Sequence, residues 1–384
     1  MRRAILQRLE GRTAGDDLKV AFDQQVFLLQ EYGGISRYVC NLVRELAGIP
    51  GVEAKIFAPL HFNRNLANLR SDLRQGQVLP PLTPKLFRFV STASRIFASR
   101  AISQFRPDII HETYYSDNGF QTNGAPRVLT VYDLIHERYP DLFENSQGTT
   151  HPKKLAANRA DHVICISEST RRDLIAFCGV PEEKTSVVYL GVDVDFVQAV
   201  TVARRYHPRP FLLYVGARGG YKNFERFVRA FSRSPRLRND FDLVCFGGGP
   251  LRVQEQEAIA GAGLRSDQVV QLGGKDEILA ALYQQAEVLV YPSLYEGFGI
   301  PPLEAMAAGC PVICSNNSSL PEVVDSAAET FDPLDEAAMQ DVLERVLYTP
   351  SRRSALIDAG RARYKRFTWE KCARETEALY RKLI

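Results

Sequence analysis

Residues 287–315 read Glu287-Val-Leu-Val-Tyr-Pro-Ser-Leu-Tyr-Glu296-Gly297-Phe298-Gly299-Ile300-Pro301-Pro302-Leu303-Glu304-Ala-Met-Ala-Ala-Gly309-Cys-Pro-Val-Ile-Cys-Ser315. This pattern predicts a buried strand, a turn containing glycine, a short helix and a second strand. The glycines of the turn permit close approach of the backbone to another group. Pro301 and Pro302 suit the first helical turn, where a missing N–H costs little. Free amides at such a turn point above the strand end, so the turn predicts an anion site.

Two carboxylates, Glu296 and Glu304, bracket this turn with seven residues between them. Two interpretations are open from this segment alone. The carboxylates bind a ligand, or Glu304 offsets the helix dipole while Glu296 is a solvated loop charge.

Strand and helix patterns alternate along the chain, which predicts an α/β protein with parallel sheets and crossover helices. Apolar runs predict strands at 18–22, 53–57, 108–110, 127–131 and 162–166 in the first half, and at 211–215, 242–246, 269–272, 288–291 and 312–314 in the second. A helix is predicted from Ser36 to Leu46, directly after two glycines.

The length of 384 residues, 45% of them hydrophobic, exceeds what one core usually supports. The polar and basic segment 203–210 precedes a fresh buried strand, as expected of a linker. We therefore predict an N-terminal tail at 1–17, a first domain at 18–195, a linker at 196–210, a second domain at 211–363 and a terminal helix at 364–384.

Composition excludes several classes of protein. A formal net charge of +3 does not indicate binding of nucleic acid. The seven cysteines are scattered, and the closest pair, Cys310 and Cys314, has neither CxxC spacing nor a nearby histidine, so buried reduced thiols are favoured over a metal site. Apolar runs are too short to cross a membrane, and the charged first ten residues do not resemble a secretion signal. A cytoplasmic protein is expected.

Several further segments carry motifs that must be considered together with the opening one. They are Asp23-Gln-Gln-Val-Phe with Gln30-Glu-Tyr-Gly33-Gly34-Ile-Ser-Arg37-Tyr38, Ile166-Ser-Glu-Ser-Thr, Gly179-Val-Pro-Glu-Glu-Lys, Val187-Val-Tyr-Leu-Gly-Val-Asp193, Tyr214-Val-Gly216-Ala-Arg218-Gly-Gly-Tyr-Lys222-Asn223 and Phe367-Thr-Trp369. Together with Glu296-Gly-Phe-Gly, they resemble the retaining glycosyltransferases of family 4, in the expected order from about residue 18 onward. The resemblance implies a GT-B fold, with two Rossmann-like doubly wound parallel-sheet domains, a cleft between them and a terminal helix that crosses back to the first domain.

The resemblance also implies a set of donor-binding residues. They are Gly33, Gly34, Gly216, Arg218, Lys222, Gly274, Lys275, Glu296, Gly297, Phe298, Gly299, Ile300 and Glu304. Glu304 is implied to accept hydrogen bonds from the ribose and Glu296 from the transferring sugar, and both tasks need an ionised carboxylate. The loop with Gly274 is implied to meet the nucleobase. For Gly33 and Gly34 an alternative stays open, a turn with positive φ and no ligand.

Transfer of a sugar from a nucleoside diphosphate leaves negative charge on phosphate oxygens, and fixed cations must meet that charge. Arg218 and Lys222 are the expected cations. If a helix has begun by Arg218, the two lie one turn apart on the same side. The alternative is a pair of ordinary surface cations. Gly247-Gly-Gly-Pro250 is a second turn at the end of a strand. Two interpretations are open, a turn that lies at the cleft and a plain tight turn.

No metal is expected to be required. Asp193-Val-Asp195 has the spelling of a metal-binding Asp-x-Asp cluster, but it falls where the family has its linker, so a structural role is favoured.

The acceptor side is less clear from sequence. Many family members have a histidine where this chain has Tyr132. Asp133 is the preferred residue to orient or deprotonate the acceptor hydroxyl, with His136 and His111 as lesser candidates. For a lone histidine, a structural role is the usual alternative.

These observations predict a retaining, metal-independent enzyme that moves a hexose-type sugar from a UDP- or GDP-sugar to a hydroxyl of a glycan or lipid-linked acceptor. Synthesis of bacterial surface polysaccharide is expected by analogy alone. A dinucleotide oxidoreductase is excluded because no Gly-x-Gly-x-x-Gly follows a strand. A GT-B sugar-nucleotide epimerase, a sugar phosphorylase and a non-catalytic nucleotide-sugar-binding module remain as alternatives.

Between Asp72 and Asp108 the chain has six basic residues and no acidic one. If 85–106 is helical, Lys85, Arg88, Arg95 and Arg106 fall within roughly 80° of one another. Two interpretations are open, a solvated charged stripe or a peripheral contact with anionic membrane lipid.

Overall fold

The structure is a computed structural model that describes residues 17–80, 83–119, 124–198 and 204–384. Of the predicted N-terminal tail, residues 1–16 lie outside the described residues, as do 199–203 of the predicted linker. The described chain forms two compact units. The first unit ends at Gly191 and also takes in Trp369–Ile384, and the second is Val192–Thr368.

The first unit is built, within the described residues, on a parallel sheet of seven strands in the order β3-β2-β1-β4-β5-β6-β7. The strands are β1 (Leu18–Phe22), β2 (Val52–His61), β3 (Arg74–Val78), β4 (Ile109–Glu112), β5 (Arg127–Val131), β6 (His162–Cys165) and β7 (Thr185–Val187). The helices between them are α1 (Gln25–Leu29), α2 (Gly34–Leu46), α3 (Arg64–Ala67), α4 (Pro84–Phe105), α5 (Ile135–Arg138), α6 (Gln147–Arg159) and α7 (Glu168–Cys178).

The second unit repeats this design with six parallel strands among its described residues, in the order β10-β9-β8-β11-β12-β13. They are β8 (Phe211–Val215), β9 (Asp242–Phe246), β10 (Val269–Leu272), β11 (Val288–Tyr291), β12 (Val312–Ser315) and β13 (Glu329–Phe331). The helices are α8 (Asp195–Gln198), α9 (Phe224–Ser232), α10 (Pro235–Asp240), α11 (Val253–Gly261), α12 (Asp276–Gln285), α13 (Ile300–Ala307), α14 (Leu320–Val324), α15 (Glu336–Leu347) and α16 (Pro350–Arg363).

The central strands are buried on both faces because helices cover both sides of each sheet. Every residue of β8 and β11 is buried, which explains their continuous apolar sequences. The predicted α/β class with two doubly wound parallel sheets is therefore confirmed. A last helix, α17 (Trp369–Leu383), packs against α2 within the first unit.

Three strands, β3, β7 and β13, were not predicted, and each lies at the edge of its sheet. Edge strands need less apolar surface, and β3 is the polar Arg-Gln-Gly-Gln-Val. The terminal helix also differs from its prediction at 364–384. A short 3₁₀ turn ends at Arg366, Phe367 leaves the helical region with φ −115° and ψ 79°, and α17 begins only at Trp369.

Candidate functional site

In the second unit the strand order reverses between β8 and β11. Loops after these two strands run to opposite faces of the sheet, which leaves a crevice at its carboxyl edge. The first residue after β8, Gly216, has a φ of +122°, a conformation that L side chains rarely adopt. A Cβ added to Gly216 would meet no other atom, so the backbone is open at this point.

Two of the predicted site residues, Lys222 and Glu296, meet in this crevice. Lys222 Nζ lies 2.7 Å from Glu296 Oε1, and both side chains are largely buried. The ammonium group also lies 5.0 Å from the ring centre of Tyr221 and 5.6 Å from that of Tyr291. Burial lowers the pKa of Lys222, but the charges of Glu296, Tyr291 and Tyr221 and the hydrogen bond to Glu296 together raise it well above its ordinary value. The cation is therefore charged at any physiological pH.

The turn that carries Glu296 is held by two serines between β12 and α14. Ser318 Oγ accepts a hydrogen bond from the Glu296 amide at 3.0 Å. Ser319 Oγ lies 2.9 Å from the carbonyl of Glu296 and 2.7 Å from that of Phe298. Neither serine was predicted from the sequence, because a pair of serines in a loop carries no distinctive signal.

The turn then reaches α13 through Gly299, whose φ is +112°. A Cβ at this position would lie 2.8 Å from Leu320 Cδ2, so both conformation and space favour glycine here. The predicted donor residues Gly297, Phe298 and Ile300 lie in this same turn and at the first position of α13.

Glu304 is 8% exposed on α13 and accepts a hydrogen bond from the Tyr283 hydroxyl at 3.0 Å. Burial, and next the charge of Glu304, raise the pKa of Tyr283 well above its ordinary value, so the hydroxyl stays a donor. Tyr283 was missed because it reads as one more apolar residue of an amphipathic helix. Gly274 and Lys275, which were predicted to lie near the nucleobase, follow the edge strand β10. This strand lies two strands away from β8.

Arg218 occupies a different position from the one expected. The helix does not begin by Arg218, because Gly216 and Gly220 have positive φ, and α9 starts only at Phe224. The prediction that Arg218 and Lys222 lie on one helical face is therefore wrong. The surface-cation alternative is also wrong, since the Arg218 side chain is fully buried and that of Lys222 is 16% exposed.

The guanidinium of Arg218 makes its hydrogen bonds inside the second unit. Its Nε lies 3.0 Å from Glu255 Oε2. Its two terminal nitrogens donate to the carbonyls of the loop Gly247–Pro250, at 2.7 Å to Gly247, 3.4 Å to Gly248, 2.7 Å to Gly249 and 3.0 Å to Pro250. A direct contact of Arg218 with a diphosphate stays a prediction.

In the first unit, Gly33 caps α2 with an extended φ of −177°, and Gly34 is its first residue. Neither glycine has positive φ, so the alternative of a positive-φ turn is wrong. A Cβ on Gly34 would meet nothing within 4 Å, and one on Gly33 would meet only the flexible end of the Gln30 side chain. Open space beside Gly34 is compatible with close approach of a ligand to this backbone.

His111 is a structural histidine. Its side chain is buried on β4, with Nδ1 2.5 Å from the Tyr380 hydroxyl and Nε2 2.8 Å from Thr130 Oγ1. Burial lowers the pKa of His111 to about 3, so the ring is neutral. His111 is thus enclosed in the core, and the prediction that it faces an acceptor is wrong.

Tyr132 is likewise 5% exposed, and its hydroxyl donates to the Thr113 carbonyl at 3.2 Å. His136 is half-buried with its ring 4.1 Å from that of Phe143, and burial lowers its pKa. Asp133 has 38% of its side chain exposed.

Lys153, a buried lysine beneath Asp133, was not predicted from the sequence. Its side chain is 1% exposed, and Nζ donates to the Asp133 carbonyl at 2.8 Å and to Glu137 Oε2 at 2.9 Å. Asp133 Oδ1 is 3.7 Å from the same ammonium. In the sequence, Lys153 is indistinguishable from the exposed Lys154 beside it.

Asp23 was also missed as an interacting group, although it follows β1 where the strand order of the first unit reverses. Its buried carboxylate accepts from Thr113 and Gln25. Burial, then the charge of Glu112, raise the pKa of Asp23 to about 6.

The described residues contain no group of three or more histidine, cysteine or acidic side chains that could hold a metal ion. Asp195, from the Asp-x-Asp sequence, opens the short helix α8. All seven cysteines are buried and outside disulfides.

Comparison with known proteins places these features in context. Two family models match, Glycosyltransferase Family 4 over residues 32–196 and Glycosyl transferases group 1 over residues 201–363. The chain is 28% identical over 375 residues to O-antigen chain mannosyltransferase B of Escherichia coli, a match covering 91% of this chain and 96% of that protein. It is 30% identical over 321 residues to the MMP alpha-(1→4)-mannosyltransferase of Mycolicibacterium hassiacum, covering 78% and 75% respectively.

Among solved structures, Anabaena HepE in complex with UDP and glucose matches with a TM-score of 0.69 at 17% identity. The match covers 94% of this chain and 99% of that one. At 17% identity, this similarity shows that the two proteins share a fold.

Replacement of Lys153 by methionine should destabilise the first unit by about 3–5 kcal/mol, because Glu137 is then left as a buried charge without its partner. Urea unfolding of the Lys153→Met variant measures this loss. Lys154→Met is the matched control and should change the free energy of unfolding by less than about 0.5 kcal/mol. Equal effects of the two substitutions would contradict the structural role of Lys153.

Proposed function

The chain belongs to glycosyltransferase family 4 and has the GT-B fold, as its motifs predicted, and from this premise we propose the reaction that it catalyses. It is a retaining, metal-independent enzyme that transfers a hexose-type sugar from a UDP- or GDP-sugar to a hydroxyl of a glycan or lipid-linked acceptor. Its setting is the synthesis of bacterial surface polysaccharide.

The names of the relatives support the sugar and the acceptor class. Both curated relatives described above are mannosyltransferases, and one acts on the O-antigen chain. We therefore propose mannose as the first hexose to test. The solved structure of HepE holds UDP and glucose, which supports a nucleotide-sugar donor for the shared fold.

The observation that carries this proposal is the ion pair of Lys222 and Glu296 beside the reversal of strand order. Their charged atoms lie 2.7 Å apart. We propose that phosphate oxygens of the donor replace the carboxylate on Lys222, which frees Glu296 to accept a hydrogen bond from a sugar hydroxyl. Lys222 then stabilises the charge that grows on the leaving diphosphate.

The family resemblance supports retention at the anomeric carbon. Attack by the acceptor on the face that the phosphate leaves needs no enzyme nucleophile. On this account the protein positions the reactants and stabilises charge. Asp133 is the proposed group that orients the acceptor hydroxyl, since 38% of its side chain is exposed, whereas His111 and Tyr132 are buried.

The function is tested by incubating the protein with UDP- and GDP-hexoses, GDP-mannose first, with and without a polysaccharide or lipid-linked acceptor. We expect release of the nucleoside diphosphate that depends on the acceptor, and a product with the anomeric configuration of the donor. An epimerase would convert the donor alone, a phosphorylase would need inorganic phosphate, and a binding module would yield no product. Any of these three results would refute the proposal.

Substitutions should separate the roles of the charged residues. Lys222→Ala should lower kcat by roughly 10²–10³-fold and also weaken donor binding, because it removes a donor to the developing charge. Glu304→Ala should act chiefly on affinity for the nucleoside diphosphate, and Glu296→Ala chiefly on turnover. Transfer rates and diphosphate titrations measure these effects, with the exposed Lys154→Ala as control. If Lys222→Ala keeps both the transfer rate and the diphosphate affinity within about twofold of the parent, Lys222 is not part of the donor site.

Metal independence is a separate expectation. Lys222 and the backbone amides beside it supply the positive field that a divalent ion provides elsewhere. Transfer should persist at its full rate in excess EDTA. Activity that is lost with EDTA and restored by Mn²⁺ would contradict this part of the proposal.

A peripheral membrane contact is proposed for the outer face of α4. The helix buries Val90, Ser94 and Ile102 and leaves four large apolar side chains exposed: Leu86, Phe89, Ile96 and Phe97. Arg88, Arg95, Arg100 and Arg106 are exposed along and just beyond the same helix. An exposed surface with both apolar and cationic groups suits the interface of an anionic bilayer. None of the described helices is both long and apolar enough to cross a bilayer.

Sedimentation with anionic vesicles tests this contact. We expect binding at low salt that weakens at high salt, since each arginine near the surface contributes about 1 kcal/mol. Replacing Arg88, Arg95 and Arg100 by glutamine should abolish binding. A control with Arg265, Arg361 and Arg374 changed to glutamine should retain it. No binding at low salt would exclude the membrane contact.

A further inference from the structure

Arg218 is the most fully coordinated cation of the second unit's crevice. Its side chain has no exposed surface and makes one ion pair with Glu255 and hydrogen bonds to four successive carbonyls, those of residues 247–250. Glu255 is itself 4% exposed, and its Oε2 also accepts the amide of Arg252 at 2.9 Å. A buried carboxylate at the start of α11 thus fixes the guanidinium, and the guanidinium fixes the loop.

The loop has an unusual backbone. Gly247, Gly248 and Gly249 have φ values of +87°, +70° and +72°, so three successive residues adopt a conformation that disfavours side chains. A Cβ on Gly248 would lie 2.9 Å from an Arg218 nitrogen and 3.0 Å from the Gly216 carbonyl oxygen. The loop therefore packs directly on the turn that follows β8, next to the reversal of strand order.

Peptide planarity fixes where the amides of this loop point. In a trans peptide, the N–H of one residue is antiparallel to the carbonyl of the residue before it, and the described residues contain no cis bond. Because the carbonyls of residues 247–250 point at Arg218, the N–H groups of Gly248, Gly249 and Leu251 point away from it. Within the described chain, none of these three amides donates a backbone hydrogen bond. Gly248 and Gly249 are exposed.

We propose that Arg218 and Glu255 are positioning residues, and that the amides of Gly248, Gly249 and Leu251 bind phosphate oxygens of the nucleoside diphosphate. This inference rests on the proposed function and refines its donor site. Successive backbone N–H groups in a turn conformation form anion-binding concavities. The guanidinium supports that concavity from behind and does not itself contact the donor.

The alternative is direct contact of Arg218 with the diphosphate. For this, the guanidinium would have to leave five hydrogen-bonding partners, one of which is the buried Glu255. Direct contact and loop support predict opposite effects of Glu255→Gln on the affinity for the diphosphate. If Glu255 competes with the donor for Arg218, Glu255→Gln strengthens diphosphate binding. If Glu255 holds the loop, Glu255→Gln weakens it.

The experiment titrates UDP and GDP separately into the parent protein and the Glu255→Gln, Arg218→Lys and Arg218→Ala variants, with the Tm of each recorded. We expect Glu255→Gln and Arg218→Lys to lose about 10- to 100-fold in affinity for the diphosphate that the parent binds, the range for lost hydrogen bonds to a charged oxygen. Lysine retains the charge but cannot span Glu255 and four carbonyls, so Arg218→Lys should be nearly as weak as Arg218→Ala.

The double variant Arg218→Lys with Glu255→Gln should be no weaker than the worse single variant, because both act through one loop. The control is the exposed pair Arg229 and Glu336 of the same unit, whose Nε and Oε1 atoms lie 2.7 Å apart. Arg229→Lys and Glu336→Gln should leave diphosphate affinity unchanged.

Gly249→Ala tests the loop without changing a charge and serves if the charge variants do not fold. A Cβ there meets no atom, so its effect is confined to the backbone conformation. We expect weaker diphosphate binding. Unchanged or tighter binding by Glu255→Gln, or by Gly249→Ala, would overturn the proposal while leaving the proposed function intact. A parent protein that binds neither UDP nor GDP would overturn both.

Discussion

All the described strands within each sheet run parallel, and this constraint determines where a ligand site can form. Parallel strands place every strand-end loop at the same edge, and the loops separate only where the strand order reverses. In the second unit that point lies between β8 and β11, and it gathers Gly216, Lys222 and Glu296. In the first unit it lies between β1 and β4, beside the buried Asp23.

Buried ion pairs then fix the loops at these edges. A buried charge without a partner is costly, so each cation holds its carboxylate in one geometry. Three of these pairs are Lys222 with Glu296, Arg218 with Glu255, and Lys153 with Glu137. The first of the three faces the proposed donor. The other two act on the backbone, of the glycine loop and of the segment around Asp133.

The sequence predicted the central strands well, because their apolar runs are long and bounded by turn residues. The motifs also predicted that Lys222 and Glu296 belong to one donor site, but not the ion pair between them. The sequence did not predict the burial of Arg218, since positive φ at two glycines prevents the expected helix and the ion-pair partner lies 37 residues away. Nor could it separate Lys153 from Lys154, because burial depends on tertiary packing and not on residue type.

The position of α17 affects how the protein can be synthesised. This helix belongs to the first unit, where Tyr380 is fully buried and bonded to His111, 269 residues earlier. Gly191 and Trp369 pack so closely that any side chain at Gly191 would collide with Trp369. Domains usually fold in the order in which the ribosome makes them. In this protein the core of the first unit lacks α17 until the ribosome has translated the whole of the second unit. The first unit therefore cannot complete its fold before that point.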